Sequence, residues 1–228
     1  MPTFPTAVER WRAVAEGEIA RLSLPLPVEL VLAVIRKESG GDTSALSSVG
    51  ASGLMQVMPG TLGHYNQVNR TSYTVSQLRG SSAADAKIQI RVGLWVLKTY
   101  WRSAYRYLSR RTQNIGVETL SKIASIFYVA GPGNARRKLD QVDPSYNALA
   151  ARYPNWSPIK NGYATKIWQW ANDAGAPWDS DGIDRWLGGD GIDDGDDGDQ
   201  DQTQSNKSGA LIAILVLYLA WNYMKGQK

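Results

Sequence analysis

Residues 28–42 read VELVLAVIRKESGGD, and our interpretation of the chain starts from Glu38 in this stretch. The first eight residues are nearly all apolar, so a helix here is expected to be buried on almost every side. The glycine pair near the end is expected to stop that helix. Glu38 follows Val34 by four residues and Ile35 by three, so it shares their core-facing side. The pattern therefore predicts a carboxyl group at the edge of an apolar core.

A carboxyl group in that position has two interpretations. Desolvation disfavours its charged form and raises its pKa. A carboxylic acid that stays protonated near neutral pH is what general acid catalysis of glycosidic bond cleavage requires. Judged by position alone, Glu38 is more simply a surface residue that closes a helix, and the residues that follow decide between the two.

A second block, residues 50–61, reads GASGLMQVMPGT. Its glycines allow the backbone to approach a bulky sugar closely, and the amide of Gln56 can bind hydroxyl or acetamido groups. Met55 and Met58 offer adaptable apolar walls, and the alternative for both is ordinary core packing. The block is thus suited to binding a saccharide.

The two blocks together resemble the lytic transglycosylases of the soluble (SLT, goose-lysozyme-like) family. In that family a catalytic Glu followed by Ser precedes a Gly-Leu-Met-Gln block, and both occur here in that order. Residues 127–134, FYVAGPGN, resemble the family's Tyr-Asn-Ala-Gly block, with Val129 where the family usually has Asn. Residues 161–167, NGYATKI, resemble its last motif, whose Tyr approaches the catalytic Glu. The resemblance spans residues 27–174.

The resemblance implies a mainly helical, lysozyme-like domain that acts on bacterial peptidoglycan and needs no cofactor. It implies cleavage of the bond between N-acetylmuramic acid and N-acetylglucosamine. Glu38 is then expected to protonate the bridging oxygen and, as a carboxylate, to take the proton of the muramoyl 6-hydroxyl, which leaves a 1,6-anhydro end. The residues expected to bind substrate are Ser39, Ser47, Gly53, Met55, Gln56, Met58, Tyr128 and Tyr163.

Two other functions remain open from the sequence. One is a muramidase on the same scaffold, which uses water with Asp42 or another acid as the base. Asp42, however, is more simply a turn or cap residue. The other is a non-catalytic, membrane-anchored protein that binds the cell wall. The sequence offers no clear second catalytic carboxylate, which favours the scheme with a single acid.

Charge is unevenly distributed along the 228 residues, whose formal net charge is +4. Residues 1–178 hold 21 Lys and Arg against 11 Asp and Glu, and such a basic body suits a polyanion such as the bacterial cell wall. No recognised nucleic-acid-binding motif is present, so nucleic acid is not an expected partner. The chain has no cysteine and a single histidine, which excludes disulfides and a His-rich zinc site.

The predicted organisation has four parts, of which the first two form the folded body. Residues 1–26 carry apolar side chains at helical spacing and are expected to form a helix that packs on the catalytic domain. Residues 27–178 are expected to form that domain. Within it, 83–108 and 117–130 are predicted to be helices, whereas 62–82 are predicted to be irregular.

The third part, residues 179–207, is an Asp- and Gly-rich tract that is expected to be a linker because it has little to bury. Oxygen ligands at alternating positions are also typical of calcium loops, which makes Asp179, Asp181 and Asp184 weak candidates for a calcium site. The closing Glu of an EF-hand is absent, and an extended, self-repelling linker is the preferred interpretation.

The fourth part, residues 208–225, is expected to be a transmembrane helix. Residues 209–224 carry no charge. As a helix at about 1.5 Å per residue they span about 24 Å, short of a hydrocarbon core of about 30 Å. Lys207 and Lys225 can extend outward to make up the difference. The alternative is a buried core helix.

The setting expected for this chain is a bacteriophage particle. The amino terminus has no continuous apolar core and is therefore not expected to be a signal peptide. A wall-degrading enzyme that reaches its substrate without secretion suggests a phage that carries it on an internal membrane and opens the wall locally during genome delivery. Other virion membrane proteins are then further candidate partners. The alternative location is the bacterial inner membrane, with the enzyme on the wall side.

Overall fold

The computed structural model describes residues 4–113 and 115–188, and the secondary-structure elements of this part of the chain are all helices. The mainly helical fold expected from the sequence is therefore confirmed. In chain order the helices are α1 Thr6–Glu9, α2 Arg12–Arg21, α3 Val28–Glu38, α4 Pro59–Asn69, a 3-10 turn Gln77–Arg79, α5 Ala83–Ser109, α6 Val117–Ala130, α7 Pro132–Leu139, α8 Tyr146–Arg152, α9 Ser157–Lys160, α10 Tyr163–Asp173 and α11 Ser180–Gly188.

None of the helices in the described residues is long and apolar enough to cross a bilayer. The predicted transmembrane helix, residues 208–225, lies outside the described residues, as does the predicted linker from residue 189 onward.

Helix α3 forms the centre of the core. It begins directly after Pro27, whose backbone is extended at φ −66° and ψ 143°. The side chains of residues 30–35 are at most 2% exposed, so the helix is buried on nearly every side, as predicted. Helices α1, α2 and α10 pack against α3, and α10 also packs against α6, which lies along α5. This packing brings the last turn of α3 close to α6 and α10.

Helix α5 is the longest helix in the described part of the chain. Ser82 caps its start, since the Ser82 Oγ accepts a hydrogen bond from the backbone N–H of Asp85 at 3.0 Å. Its fully buried face, which includes Ile90, Leu94 and Trp101, packs against α6 and α2. The helices predicted at 83–108 and 117–130 are both present, within one residue of their predicted ends.

The amino-terminal segment forms two helices, α1 and α2, rather than one. Glu18 of α2 is 1% exposed and accepts two hydrogen bonds at 2.8 Å from the guanidinium of Arg91 on α5 and a third at 2.7 Å from Arg21. Burial raises the pKa of Glu18, but these hydrogen bonds outweigh burial and bring the pKa below its usual value. A buried carboxylate paired in this way fastens α2 to α5.

The segment predicted to be irregular begins with helix α4 instead. Pro59 occupies the first position of this helix, where its missing N–H costs nothing. Leu62 and Tyr65 are buried against Leu78 and Val92 in a second apolar cluster. Two apolar residues one turn apart are too few to produce a clear helical periodicity, which is why the sequence pattern fails here.

The domain also extends beyond its predicted end at Trp178. The Trp178 indole stacks between those of Trp168 and Trp101, with ring centroids 4.8 Å and 6.3 Å away. Helix α11 follows, and its residues Ile183 and Leu187 are 1% and 5% exposed. The linker prediction is therefore wrong for the described part of the acidic tract, where two apolar residues four positions apart attach the helix to the core.

Candidate active site

Glu38 is the last residue of α3, and its side chain is half-buried near α6 and α10. Its Oε1 accepts a hydrogen bond from the hydroxyl of Tyr163. Burial raises the pKa of Glu38, whereas this hydrogen bond and the charge of Lys37 oppose the rise, and the result is a pKa of about 7. A protonated form of Glu38 is therefore available near neutral pH, which general acid catalysis needs.

Tyr163 is the first residue of α10. The chain turns into this helix through Gly162, whose left-handed backbone (φ 59°) glycine adopts without strain. Burial, followed by the nearby charge of Glu38, raises the pKa of Tyr163 well above its usual value, so the hydroxyl remains a donor. The geometry agrees with the expected approach of Tyr163 to Glu38.

Tyr128 reaches the same region from α6. Its hydroxyl donates to the carbonyl oxygen of Met55 at 2.7 Å, and its ring packs edge-on against that of Tyr100 with centroids 5.9 Å apart. Burial first, and then the charge of Glu38, raises the pKa of Tyr128 well above its usual value, so the hydroxyl remains a donor. Tyr128 therefore attaches the loop of residues 50–58 to the wall of the site.

Ser39 connects the end of α3 to that same loop. Its Oγ donates to the carbonyl oxygen of Leu54 at 2.9 Å and accepts from the backbone N–H of Gly41 at 3.1 Å. One hydroxyl group thus fixes the turn after Glu38 against the second sequence block. Contact between Ser39 and substrate stays a prediction.

The loop is also held by Gln89 of α5, which the sequence analysis missed. The Gln89 Oε1 accepts from the backbone N–H of Leu54 at 3.0 Å, and its Nε2 donates to the carbonyl oxygen of Gly80 at 2.9 Å. A Cβ atom on Gly53, whose φ is 73°, would collide with the Gln89 side chain and with the carbonyl of Leu78. Gly53 is buried and serves this packing, and its contact with a sugar stays a prediction.

Met55 is fully buried, and a Cβ atom on Gly93 of α5 would collide with its side chain. The Met55 side chain therefore packs in the core, which is the alternative that the sequence left open, and a contact between Met55 and substrate stays a prediction. A glycine inside a long helix costs about 1 kcal/mol relative to alanine, so Gly93 was the available signal of close packing. Met58 is partly exposed at the start of α4, and its role as a wall stays a prediction.

Gln56 and Ser47 shape the loop from within. Gln56 has a left-handed backbone (φ 47°), and its Nε2 donates to the carbonyl oxygens of Ala45 and Gly53 at 3.2 Å and 3.1 Å. The Ser47 Oγ accepts from the backbone N–H of Ala51 at 2.9 Å. Both side chains are partly exposed, and their contact with sugar stays a prediction.

A protein-family model matches the part of the chain that includes Glu38, the loop of residues 50–58 and Tyr128. The model is described as the Transglycosylase SLT domain, and it matches residues 20–148, more than half of the 228 residues. The chain belongs to the transglycosylase SLT family. It is therefore a lytic transglycosylase, an enzyme that cleaves peptidoglycan. The comparison with curated proteins finds no match.

The match to the SLT family ends before Tyr163, yet Tyr163 contacts Glu38 directly. Helix α10, which carries Tyr163, also packs closely against α3 and α6. The SLT domain of this chain therefore includes α10 as an integral part of its site.

Val129 stands in this SLT domain where the family usually has Asn. Its side chain is partly buried against the main core, and it cannot form a hydrogen bond. Asn134, the nearest amide in sequence, lies on α7 and accepts a hydrogen bond from Arg137 of the same helix at 3.4 Å. Helix α6 therefore contributes the hydroxyl of Tyr128 to this region, and helix α10 contributes the hydroxyl of Tyr163.

Asp42 is an exposed residue in the turn that follows α3. Its Oδ1 accepts hydrogen bonds from the Oγ and the backbone N–H of Ser44, at 2.7 Å and 2.8 Å. These two hydrogen bonds lower the pKa of Asp42. The preferred interpretation of Asp42 as a turn residue agrees with this geometry.

The three candidate calcium ligands are not brought together. Asp179 caps α11, since its Oδ1 accepts from the backbone N–H of Gly182 at 2.8 Å. Asp181 and Asp184 are exposed on the helix itself. Across residues 4–113 and 115–188, no group of three or more His, Asp or Glu side chains could hold a metal ion.

Arg10 and Trp11 support the site from the amino-terminal helices, and the sequence analysis missed this contact. Both side chains donate to the carbonyl oxygen of Gly41, at 2.9 Å and 3.0 Å. A Cβ atom on Gly41, whose φ is 93°, would collide with the backbone of Ala7. The segment before α2 therefore holds the turn that follows Glu38.

Proposed function

We propose that this SLT domain cleaves the bond between N-acetylmuramic acid and N-acetylglucosamine without water and leaves 1,6-anhydro muramoyl ends. The observation that carries the proposal is the carboxyl of Glu38, with a pKa of about 7 and a hydrogen bond from Tyr163. Such a group can donate a proton in one step and accept one in the next at the same pH.

In the proposed reaction, protonated Glu38 gives its proton to the oxygen that bridges the two sugars, and the bond from that oxygen to the muramoyl anomeric carbon breaks. The 6-hydroxyl oxygen of the same muramoyl residue then bonds to the anomeric carbon. Its proton passes to the Glu38 carboxylate, so the enzyme returns to its starting state and no water is consumed. Tyr163 holds the carboxyl in place through both transfers.

The surroundings of Glu38 favour this scheme over a hydrolytic one. Glycosidases that use two carboxyl groups place them about 5–5.5 Å or about 6.5–9.5 Å apart. Here the charged residue that acts on Glu38 is Lys37, and the carboxylate of Asp42 is already bonded to Ser44. Attack by water would need a second group as its base, whereas attack by the 6-hydroxyl needs only Glu38 itself.

The test is a digest of purified peptidoglycan, with mass spectrometry of the released muropeptides. Anhydro ends, lighter by one water than hydrated ends, support the proposal, and hydrated ends would make the enzyme a muramidase. Glu38→Gln is expected to lower the rate by about a hundredfold or more, because it cannot donate the proton. Glu118→Gln is the matched control, since Glu118 is exposed on α6. Binding to the wall without cleavage by the unaltered protein would leave only a wall-binding role.

The biological setting that we propose is a bacteriophage particle, in which residues 208–225 anchor the enzyme to a membrane and the enzyme opens the wall locally at genome delivery. The support is a sequence pattern: residues 209–224 are uncharged and flanked by Lys207 and Lys225, and they are joined to a domain that cleaves the cell wall.

Two measurements test this setting. The full chain is expected to float with liposomes in a density gradient, and a chain that lacks residues 208–228 is expected to stay at the bottom. Particles purified from an infected culture are expected to contain the protein in their lipid fraction. Recovery of the full chain at the bottom of the gradient would contradict the membrane anchor.

A further inference from the structure

Two lysines lie near the start of α10, where the Tyr163 phenol binds Glu38. The Lys37 Nζ, on α3, lies 5.8 Å from the centroid of the Tyr163 ring. Lys166 is one turn further along α10, and its Cε lies 3.8 Å from the position that a Cβ on Gly162 would take. The Lys166 side chain is thus folded back toward the start of α10, which is where Tyr163 and Glu38 meet.

The positive charge of Lys166 acts on the ammonium group of Lys37. Burial, and then the charge of Lys166, lowers the pKa of Lys37. In the described part of the chain neither lysine lies within 4.0 Å of a carboxylate oxygen, the distance that defines an ion pair here. Other cations in the domain do have such partners, as Arg91 has in Glu18. An anionic ligand between the lysines would relieve their repulsion.

The neighbouring cation, Arg36, is engaged differently. Its guanidinium stacks over the Trp170 ring at 3.9 Å from the centroid, so it packs on α10 and adds positive charge to this edge of the α3 and α10 interface. The edge therefore carries Arg36, Lys37 and Lys166. Of these three cations, Lys37 acts on the carboxyl of Glu38.

The chemistry of the substrate identifies an anion for this position. The sugar rings of peptidoglycan present hydroxyl and acetamido groups, whereas the peptide stem attached to each muramoyl residue ends in carboxylates. We propose that Lys37 and Lys166 form a binding site for a carboxylate of the peptide stem on the muramoyl residue whose glycosidic bond Glu38 protonates. This inference rests on the proposed function, because it assumes that a muramoyl residue is bound at Glu38.

Lys166 is the better residue for a test, since it is exposed on α10 and acts on Glu38 less directly than Lys37 does. Two substrates are compared: soluble glycan strands with their peptide stems, and the same strands after an amidase has removed the stems. The measured quantity is the ratio of kcat/KM on the intact strands to kcat/KM on the stripped strands. A ratio removes any general loss of activity that a substitution causes.

Lys166→Gln is expected to lower this ratio by about tenfold, the usual effect of one lost hydrogen bond to a charged group. Lys166→Arg is expected to restore most of the ratio. Arg110→Gln, which removes one positive charge from the exposed end of α5, is the matched control and is expected to leave the ratio unchanged.

The outcomes separate this inference from the proposed function. An unchanged ratio for Lys166→Gln, with anhydro products from both substrates, would overturn the carboxylate site and leave the proposed function intact. An equal fall in the ratio for Arg110→Gln would also overturn it, because the effect would then be one of general charge. Hydrated products from the unaltered protein would overturn the proposed function. The ratio of the two kcat/KM values would still show whether Lys166 binds a carboxylate of the peptide stem.

Discussion

The hydroxyl of Tyr163 donates a hydrogen bond to the carboxylate of Glu38, although the two residues are 125 positions apart in the chain. This bond favours the ionised carboxylate, whereas burial favours the protonated one. Burial is the larger effect, and the balance gives Glu38 a pKa of about 7. The pKa of Glu38 is therefore the result of burial, opposed by a contact between helices α3 and α10.

Replacing Tyr163 with Phe is expected to raise the pKa of Glu38 above about 7, because the bond to the ionised form is lost while Lys37 and Tyr128 remain. The protonated carboxyl is the active acid, so the alkaline fall in kcat should move to higher pH by about one unit. A pH profile of kcat measures the shift. Tyr153→Phe, which removes a hydroxyl bonded to Gln141, is the control. A shift to lower pH would contradict the assignment.

Glu38 is expected to make the protein less stable as pH rises. Its pKa is about 7 in the folded state against 4.5 as a model value, so the folded state binds a proton that the unfolded state has lost between these pH values. Glu38→Gln cannot ionise, and it should match the unaltered protein near about pH 4 and exceed its free energy of unfolding by about 3 kcal/mol near about pH 8. Urea unfolding at both pH values measures this difference. A pH-independent difference would show that ionisation is not its cause.

Gly53→Ala is expected to destabilise the domain by about 2 kcal/mol or more, because the new Cβ strains a backbone at φ 73° and collides with the Leu78 carbonyl. Gly50→Ala is the matched control. Gly50 also has a positive φ, 92°, but the nearest atom to its Cβ position is 4.0 Å away. Equal midpoints of urea unfolding for the two variants would mean that backbone strain alone matters and that the packing around Gly53 is loose.

Glu18→Gln is expected to lower the free energy of unfolding by about 3 kcal/mol, since it leaves the guanidinium of Arg91 without its buried counter-charge. Glu16→Gln provides the control on the same helix. Glu16 is exposed and lies 3.9 Å from Arg12, so its loss should change stability by less than about 0.5 kcal/mol. Chemical denaturation of both variants gives the comparison, and similar values for the two would argue against a fastening role for Glu18.

The position of Glu38 could be predicted from the sequence because the signals that fix it are local. An uninterrupted apolar run up to Ile35 and a glycine pair define a buried helix and its end, so the carboxyl must emerge at the edge of the core. The same reasoning gives the direction of its pKa. The partner Tyr163 was found by resemblance alone, since nothing in its own neighbourhood indicates a contact with α3.

The contacts that hold the loop of residues 50–58 could not be predicted in this way. Gln89 lies 35 positions from Leu54, and the collision between a Cβ on Gly93 and Met55 appears only once α5 is placed beside the loop. Residues that serve such long-range packing have no periodic pattern of their own. Met55 and Gly53 were for that reason interpreted as substrate contacts, although their surroundings belong to the core.

The two hydrogen bonds from Arg10 and Trp11 to the carbonyl of Gly41 bear on how this enzyme can be engineered. A protein shortened to begin at α2 would keep every residue proposed for chemistry. It would lose both hydrogen-bond donors that support the turn after Glu38. Fusions that redirect wall-cutting activity to a new bacterial target should therefore attach ahead of Phe4 and leave the first helix whole.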